Sequence, residues 1–573
     1  MACAAALAAA PFRLLHVPVT MYDGTRLSAN VFLPTEHARV PAILIRTPYG
    51  KGVDLVPNYQ AFVDHGYAVV IQDVRGRYES EGEFEQLHHE PEDGDATLNW
   101  IAQQPWSNGK VGMVGGSYLG IVQWKAALRN NPHLKAIFPV VSGDDDYRDR
   151  YYSRGGALKL GHRLEWMAEN LRVPGYHPDF NRFIWHLPLR TADVWATGQE
   201  SQAYQEAIQH PAYDSFWRTI STREHLAQIR IPVFAVGGWY DNYGQSDLDA
   251  FAALRKTSGL NHILIGPWPH NMSYKFDGVD FGPESSVPVR RLQLQWFDQW
   301  LMGKDTEAAS SAPVKVFLMG ANQWLEDREW PPQEARATVY YLDSNGHANS
   351  AAGDGRLRGG LSAQETEDAY TYDPAKPVPT RGGAVCCNPR VFPWGPLDQH
   401  AVEERPDVLV YSTRTLRSEV AVAGPVRVVL FVATTARDTD FTAKLVDVFP
   451  DGAARILTDG ILRLRYRKSL ERAELAQPGE VYEVTVDAGE TANVFQRGHR
   501  IRLEIASSNF PKYDRNPNTG GSIAEETHFL SAHQTVYHGG ARASRLELMV
   551  LPVQRESLAL GAKISPAIHP GAR

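Results

Sequence analysis

Ser117 is the side chain in this sequence best placed to act as a nucleophile. It stands in Gly115-Gly116-Ser117-Tyr118-Leu119-Gly120, between the apolar run Val111–Val114 and the helix-forming stretch Ile121–Leu128. A serine set among glycines at a strand-to-helix turn is the pattern of a nucleophile elbow. Such a turn is so tight that neighbouring Cβ atoms would clash, and the serine itself takes a strained backbone geometry. That geometry projects the hydroxyl into the open while the helix N-terminus faces a developing oxyanion. The spelling departs from G-x-S-x-G, because Leu119 replaces the last glycine and Gly120 follows one place later. The same letters also spell a helix-entry loop with an N-cap serine, so the chemistry depends on finding partners.

A nucleophilic serine needs a base and an acid to orient it. In α/β-hydrolases these follow in the order Ser, Asp, His, each just beyond the C-terminal end of a strand. Two stretches fit. Gly237-Gly238-Trp239-Tyr240-Asp241 follows the apolar run Ile231–Gly237, and Gly266-Pro267-Trp268-Pro269-His270 follows His262–Gly266. The sequence holds twenty histidines, and a lone one beside a tryptophan is usually structural. Order, strand context and spacing single out Asp241 and His270. Two donors must then meet the oxyanion. The amide of Tyr118, after the nucleophile, is one. The other is expected from Thr47-Pro48-Tyr49-Gly50, where the Tyr49 phenol stays protonated at neutral pH; Thr47 is a second donor there, and Tyr49 could equally close the loop against Pro48.

These residues need a scaffold of strands. Leu14–Tyr22 and Arg26–Leu33 flank Asp23-Gly24 as a hairpin. Pro41–Arg46, Ala68–Asp73, Val111–Val114 and Ala136–Val141 are nearly unbroken apolar runs, with helical patterns at Asn58–His65 and Glu92–Gln103. Such alternation means a parallel sheet covered by helices. The charged loop Asp73-Val-Arg75-Gly76-Arg77 reads as a brace between loops. From about Asp146 to Leu226 strand runs disappear, giving a helical insertion. Strands resume at Ile231–Gly237 and His262–Gly266, followed by an amphipathic Trp-rich helix over Val289–Met302. Beyond Val314, short strands such as Val316–Met319, Val426–Thr434 and Arg545–Pro552 alternate with Gly, Pro and Asn turns, as in a β-sandwich or jelly-roll. The expected division is 11–145 and 227–313 for an α/β-hydrolase core, 146–226 for a helical cap, and 314–565 for a C-terminal jelly-roll.

Composition limits the classes of function. Of 573 residues, 43% are apolar and 22% charged, as in ordinary globular proteins. A net charge of −8 and no basic cluster argue against nucleic acid or an anionic membrane surface. Three cysteines, Cys3 and the adjacent pair Cys386 and Cys387, make no disulfide framework, and no Cys/His spacing suggests zinc. No membrane span is expected. Met1–Ala10 ends in small apolar residues like a trimmed signal peptide but lacks a basic start. The expectation is a cytoplasmic protein, with a secreted or periplasmic one as the alternative.

Taken together, Arg46-Thr-Pro-Tyr49, Gly115-Gly-Ser-Tyr-Leu-Gly120, Gly238-Trp-Tyr-Asp241 and Gly266-Pro-Trp-Pro-His270 resemble the signature set of the cocaine esterase-like hydrolases. That family also includes α-amino-acid ester hydrolases, glutaryl acylases and X-Pro dipeptidyl peptidases. The resemblance runs through nearly the whole sequence. It implies an α/β-hydrolase domain, a helical cap and a C-terminal jelly-roll. It further implies the triad Ser117, Asp241 and His270, with the Tyr49 hydroxyl and the Tyr118 amide as oxyanion hole. Asn271 departs from the small residue usual after the histidine; asparagine tolerates left-handed backbone angles, so the turn is expected to form there.

Within the family, amino-acid ester hydrolases carry acids two and three places after the triad aspartate. Here those positions are Tyr243 and Gly244, which leaves Asp144–Asp146 as a separate source of negative charge. The extra N-terminal helical domain of the dipeptidyl peptidases finds no room before the hairpin. The expectation is a serine esterase or acylase for neutral or aromatic acyl groups, with Trp239, Tyr240, Trp268 and Trp166 as pocket walls. No metal or organic cofactor is expected. The partners would be a small-molecule ester or amide and, for assembly, further copies of the chain in a homodimer or higher homo-oligomer. The competing readings are an X-Pro dipeptidyl peptidase, an α-amino-acid ester hydrolase or β-lactam acylase, and a catalytically idle carbohydrate- or partner-binding protein.

Overall fold

The computed structural model describes residues 12–34 and 39–552. The run Met1–Ala10, on which the signal-remnant reading rests, lies outside them, as does Cys3. The first hairpin forms as its turn signal predicts: β1 (Phe12–Thr20) pairs antiparallel with β2 (Arg26–Leu33) around Asp23-Gly24. The apolar runs become β3 (Val40–Thr47), β4 (Ala68–Asp73), β5 (Ser107–Gly116), β6 (Leu134–Val140), β7 (Val233–Gly238) and β8 (Asn261–Gly266). Together with β9 (Val314–Leu318) and β10 (Gln323–Asp327) they form one sheet, ordered β1-β2-β4-β3-β5-β6-β7-β8-β9-β10 and parallel from β4 to β9.

Every residue of β4, β7 and β8 is buried, because both faces of the sheet are covered. Successive side chains of β3 divide between the two layers. Leu44 joins Leu98 and Ile101 of α2 (Glu90–Gln103) and Val122 of α3 (Tyr118–Ala127) on one side. Ile43 and Ile45 pack on the other side with Phe62 of α1 (Pro57–Asp64) and with Trp296 and Phe297 from the Trp-rich helix. The assignment of Val316–Met319 to the C-terminal sandwich fails here. β9 pairs with β8 in the first sheet, Val314 opposite Ile263, and β10 closes the edge. An alternating strand reads the same in either sheet, so its partner is settled only by tertiary packing.

Between β6 and β7 the chain builds helices, the longest being α4 (Leu160–Asn170). Beyond β10 the elements are nearly all strands, from Arg336–Asp343 to Arg545–Val550, in a second sheet of eleven described strands. Its spine is the fifteen-residue strand Val420–Thr434, which pairs with Tyr482–Phe495, Ala532–His538 and Arg545–Val550. This all-β part holds the entry to α4: the Gly161 amide donates to Pro511 O at 2.8 Å and the Leu158 amide to Asp514 Oδ1 at 2.8 Å. Among the described residues no helix is long and apolar enough to cross a membrane.

Candidate active site

β5 ends at Gly116 and α3 begins at Tyr118, so one residue carries the whole reversal. Ser117 takes it with φ 55° and ψ −127°, a conformation costly for a side-chain-bearing residue. Its amide is held by Val140 O at 2.9 Å, and its carbonyl starts α3 by accepting from Gly120 N at 2.8 Å. Two glycines are required by contact. A Cβ on Gly115 (φ 141°) would lie 2.4 Å from Leu119 Cβ, and one on Gly120 would lie 2.5 Å from Ser142 Cβ. The unusual spelling, with glycine one position late, follows from that close approach to Ser142. The N-cap alternative does not apply, since the Ser117 side chain makes no capping hydrogen bond.

Asp241 and His270, the expected orienting acid and base, arrive from the ends of β7 and β8. The Asp241 amide bonds back to Gly238 O at 3.1 Å, and the Tyr243 amide donates to Asp241 Oδ2 at 3.0 Å, which fixes the buried carboxylate. Its other oxygen lies 2.6 Å from His270 Nδ1. With Nδ1–H donating there, the tautomer leaves Nε2 as the free base. Tyr243 packs against His270 at 5.7 Å between ring centroids. The left-handed residue of the following turn is Met272 (φ 59°), not Asn271 as expected; Asn271 Oδ1 instead accepts from Ser273 N at 3.0 Å.

Tyr49 follows β3, and the Ser117 side chain is among the groups that act on its phenol. The Trp166 indole on α4 donates to that same oxygen at 3.2 Å. Burial pushes the Tyr49 phenol above its ordinary range, against the opposing pull of Trp166, Ser117, Arg163 and Arg150. It therefore stays an O–H donor at neutral pH. The loop is held from outside: Thr47 Oγ1 accepts from Tyr49 N at 3.1 Å, and Arg77 donates to Pro48 O at 3.0 Å and to Asn170 O at 2.9 Å. Arg77 thus ties the Tyr49 loop to the end of α4, and Arg75 meets Asp93 and Asp23, so the charged loop is indeed a brace. The amide of Tyr118 opens α3, where the first N–H groups have no intrahelical acceptor. The Tyr118 hydroxyl points away to Glu90 Oε1 at 2.9 Å, and Glu90 also neutralises the buried Arg46.

Of the four expected pocket walls, the structure places only Trp166 at this site. Trp239 donates to Phe317 O at 2.8 Å and packs on Trp330. Tyr240 reaches Ile456 O at 3.2 Å, and Trp268 reaches Ser285 O at 2.8 Å. All three are at most 3% exposed and serve as core; they are withdrawn as walls. A residue close to Asp241 or His270 in sequence lies beyond the strand end and can turn either way. Nor do the three acids supply spare charge. Asp144 is paired bidentately with Arg223, Asp145 with Arg148, and Asp146 with Lys125 and Arg150.

What sequence reasoning missed is a group of buried polar residues on the cap. Arg163 lies 4.4 Å from the centre of the Trp166 ring and 5.0 Å from that of Tyr151. Arg163 and Arg150 both act on Tyr49 and Tyr243. His162 stands beside Tyr243, 3.4 Å from its hydroxyl. An i, i+3, i+4 pattern on α4 was available as a signal, but nothing in it told these residues from an ordinary packed face.

Comparison with known proteins agrees with this architecture. Residues 23–272 match the X-Pro dipeptidyl-peptidase (S15 family) model, and residues 306–547 match the X-Pro dipeptidyl-peptidase C-terminal non-catalytic domain. The chain is 38% identical to cocaine esterase of Rhodococcus sp. (strain MB1 Bresler), over 94% of this chain and 98% of that one. An aminopeptidase from a marine sediment Thaumarchaeota archaeon superposes with a TM-score of 0.82 at 27% identity, covering 95% of this chain and 97% of that one. An α-amino-acid ester hydrolase gives 0.82 at 26%, covering 96% and 98%. By its matched domains, by a full-length relative and by the elbow that its own backbone builds, the chain belongs to the cocaine esterase-like, S15-type family of serine hydrolases.

Proposed function

We propose that this serine ester hydrolase cleaves carboxylic esters, and activated amides, of neutral or aromatic acyl groups through an acyl-enzyme on Ser117. The observation that carries the reading is the 2.6 Å contact of His270 with Asp241, delivered by the ends of β7 and β8 in the same parallel sheet whose β5 ends at a serine of positive φ. His270 Nε2 takes the proton from Ser117 as the hydroxyl attacks the acyl carbon. Asp241 holds the ring and favours the imidazolium that forms. The Tyr49 hydroxyl and the Tyr118 amide meet the oxyanion of the tetrahedral intermediate. His270 then gives its proton to the departing alcohol or amine, and a water activated by the same nitrogen hydrolyses the acyl-enzyme.

The cap between β6 and β7 supplies the acyl side of the pocket through α4, with Trp166 against Tyr49. The charge there supports a neutral or aromatic acyl group over one bearing an ammonium. Arg150 and Arg163 bear on Tyr49 and Tyr243, whereas Asp144–Asp146 are each committed to a cation. The test is a fluorophosphonate probe followed by a panel of p-nitrophenyl esters, aryl amides and an X-Pro anilide. We expect one label per chain, lost in Ser117→Ala, and turnover of aryl esters well above that of the anilide. Labelling that persists in Ser117→Ala would sink the nucleophile. Faster turnover of the X-Pro anilide than of every ester would replace the esterase reading with an exopeptidase.

A further inference from the structure

A second cluster of reactive side chains lies behind Tyr243. His162 on α4, Cys386 and Cys387 place one ligand atom each within 4.8 Å of one another. His162 lies more than two hundred residues before the adjacent cysteines, so no spacing motif announces the group. Cys386 is fully buried and Cys387 half-buried, and the two are joined as a disulfide. His162 is 3% exposed, and its Nδ1 has no hydrogen-bond partner. A buried ring nitrogen in that state is an unmet demand for a proton or an electron-pair acceptor. Glu165 stands one helical turn along α4, on the same face. It is also 3% exposed, and its Oε2 has no hydrogen-bond partner.

We propose that reduction of the Cys386–Cys387 bond turns this cluster into a site for a thiophilic divalent cation of the zinc and cadmium class. Two thiolates and an imidazole are the donor set such ions select, and a water molecule can complete the tetrahedron. Donors around a tetrahedral zinc sit about 3.5 Å apart, given bond lengths of about 2.0–2.3 Å, so side-chain rotations bring the three donors into range. In the first step a water-soluble phosphine gives two electrons to the S–S bond. The phosphine becomes its oxide with oxygen from water, and the two sulfurs take two protons as thiols. In the second step the cation binds both sulfurs and displaces those two protons to solvent. While the disulfide is intact neither sulfur is a thiolate, and the site is closed.

The experiment uses the full chain with Cys3→Ser, so that Cys386 and Cys387 are the only cysteines. Phosphine-reduced and untreated samples are titrated anaerobically with Cd²⁺, following the ultraviolet thiolate-to-cadmium charge-transfer band. One Cd²⁺ per reduced chain, and none for the untreated protein, is the expected result. Cys386→Ser or Cys387→Ser should each remove about half the band. His162→Gln should keep the band while weakening binding at least about tenfold, the lower end of what disturbing even an outer partner of a ligand costs. The untreated protein is a control of identical sequence, so the comparison stands even where a variant folds poorly. The proposal is overturned if the reduced chain, with both thiols titratable by a thiol reagent, shows no band. It is equally overturned if His162→Gln binds Cd²⁺ as tightly as its parent.

Discussion

Replacing Tyr49 by phenylalanine removes one hydroxyl and keeps the ring. In the structure that hydroxyl accepts a hydrogen bond from Trp166 Nε1 at 3.2 Å, and the Ser117 side chain is among the groups that act on it. Because burial pushes the phenol above its ordinary range, it remains a donor throughout the neutral region, and its loss should not alter the pH profile. A single preorganised donor to an oxyanion is worth about 10²–10³ in kcat, or about 2.7–4 kcal/mol. The substitution also leaves the Trp166 N–H without its acceptor, which costs about 1–3 kcal/mol of stability when the donor is buried. The variant should therefore show two separable signatures: kcat lower by that factor with KM nearly unchanged, and a lower Tm. Adding Trp166→Phe removes the stranded donor, so the double variant should regain stability without regaining kcat. Steady-state kinetics on one aryl and one alkyl ester, with thermal melts of all three proteins, measure both. If Tyr49→Phe lowers Tm but changes kcat by less than about threefold on both esters, the hydroxyl serves only to satisfy Trp166. The second oxyanion donor would then be Thr47 or an amide of the Thr47–Gly50 loop.

Other substitutions test the remaining parts. Ser117→Gly should be inactive yet more stable than wild type by about 1 kcal/mol, because glycine relieves a φ of 55° that costs a serine about 1–3 kcal/mol; a melt showing destabilisation would remove strain from the account of the elbow. Asp241→Asn should lower kcat by about 10³–10⁴-fold with substrate binding little changed, since the tautomer of His270 is lost while the geometry stays; equal losses in KM and kcat would point to local unfolding. In the all-β part, buried Asp368 accepts from Ser344 (2.7 Å), Tyr411 (2.7 Å) and the Ala348 amide (2.8 Å) and lies 2.9 Å from His538. Burial alone would raise its carboxyl, but these partners prevail and hold it below the ordinary value. Its contribution to stability is thus present above the unfolded pKa of about 3.9 and is lost as pH falls through the lower folded value. Asp368→Asn should cost about 1.5–3 kcal/mol at neutral pH, and less as the pH is lowered; a constant deficit from neutral pH to pH 3 would contradict the assignment.

What the sequence by itself determined are features that short-range sterics or chain order impose. The elbow was legible because a one-residue reversal between β5 and α3 admits few spellings, and Gly115 and Gly120 are demanded by contacts with Leu119 and Ser142. Asp241 and His270 were legible because each sits just past a strand that is apolar along its length, and in a parallel sheet those strand ends share one edge. The packing partners were decided by the tertiary structure alone. β9 alternates like a sandwich strand yet completes the α/β sheet. Trp239, Tyr240 and Trp268 lie close to Asp241 and His270 in sequence but turn into the core, while Trp166, on a separate helix, reaches Tyr49. The acids Asp144–Asp146 read as free charge, but cations from distant elements neutralise two of them, Arg223 pairing with Asp144 and Lys125 with Asp146. The approach of His162 to the adjacent pair Cys386 and Cys387 has no local trace. Burial and pairing of polar groups depend on which surfaces the fold brings together, and residues far apart in the chain carry no mutual periodicity from which that could be read.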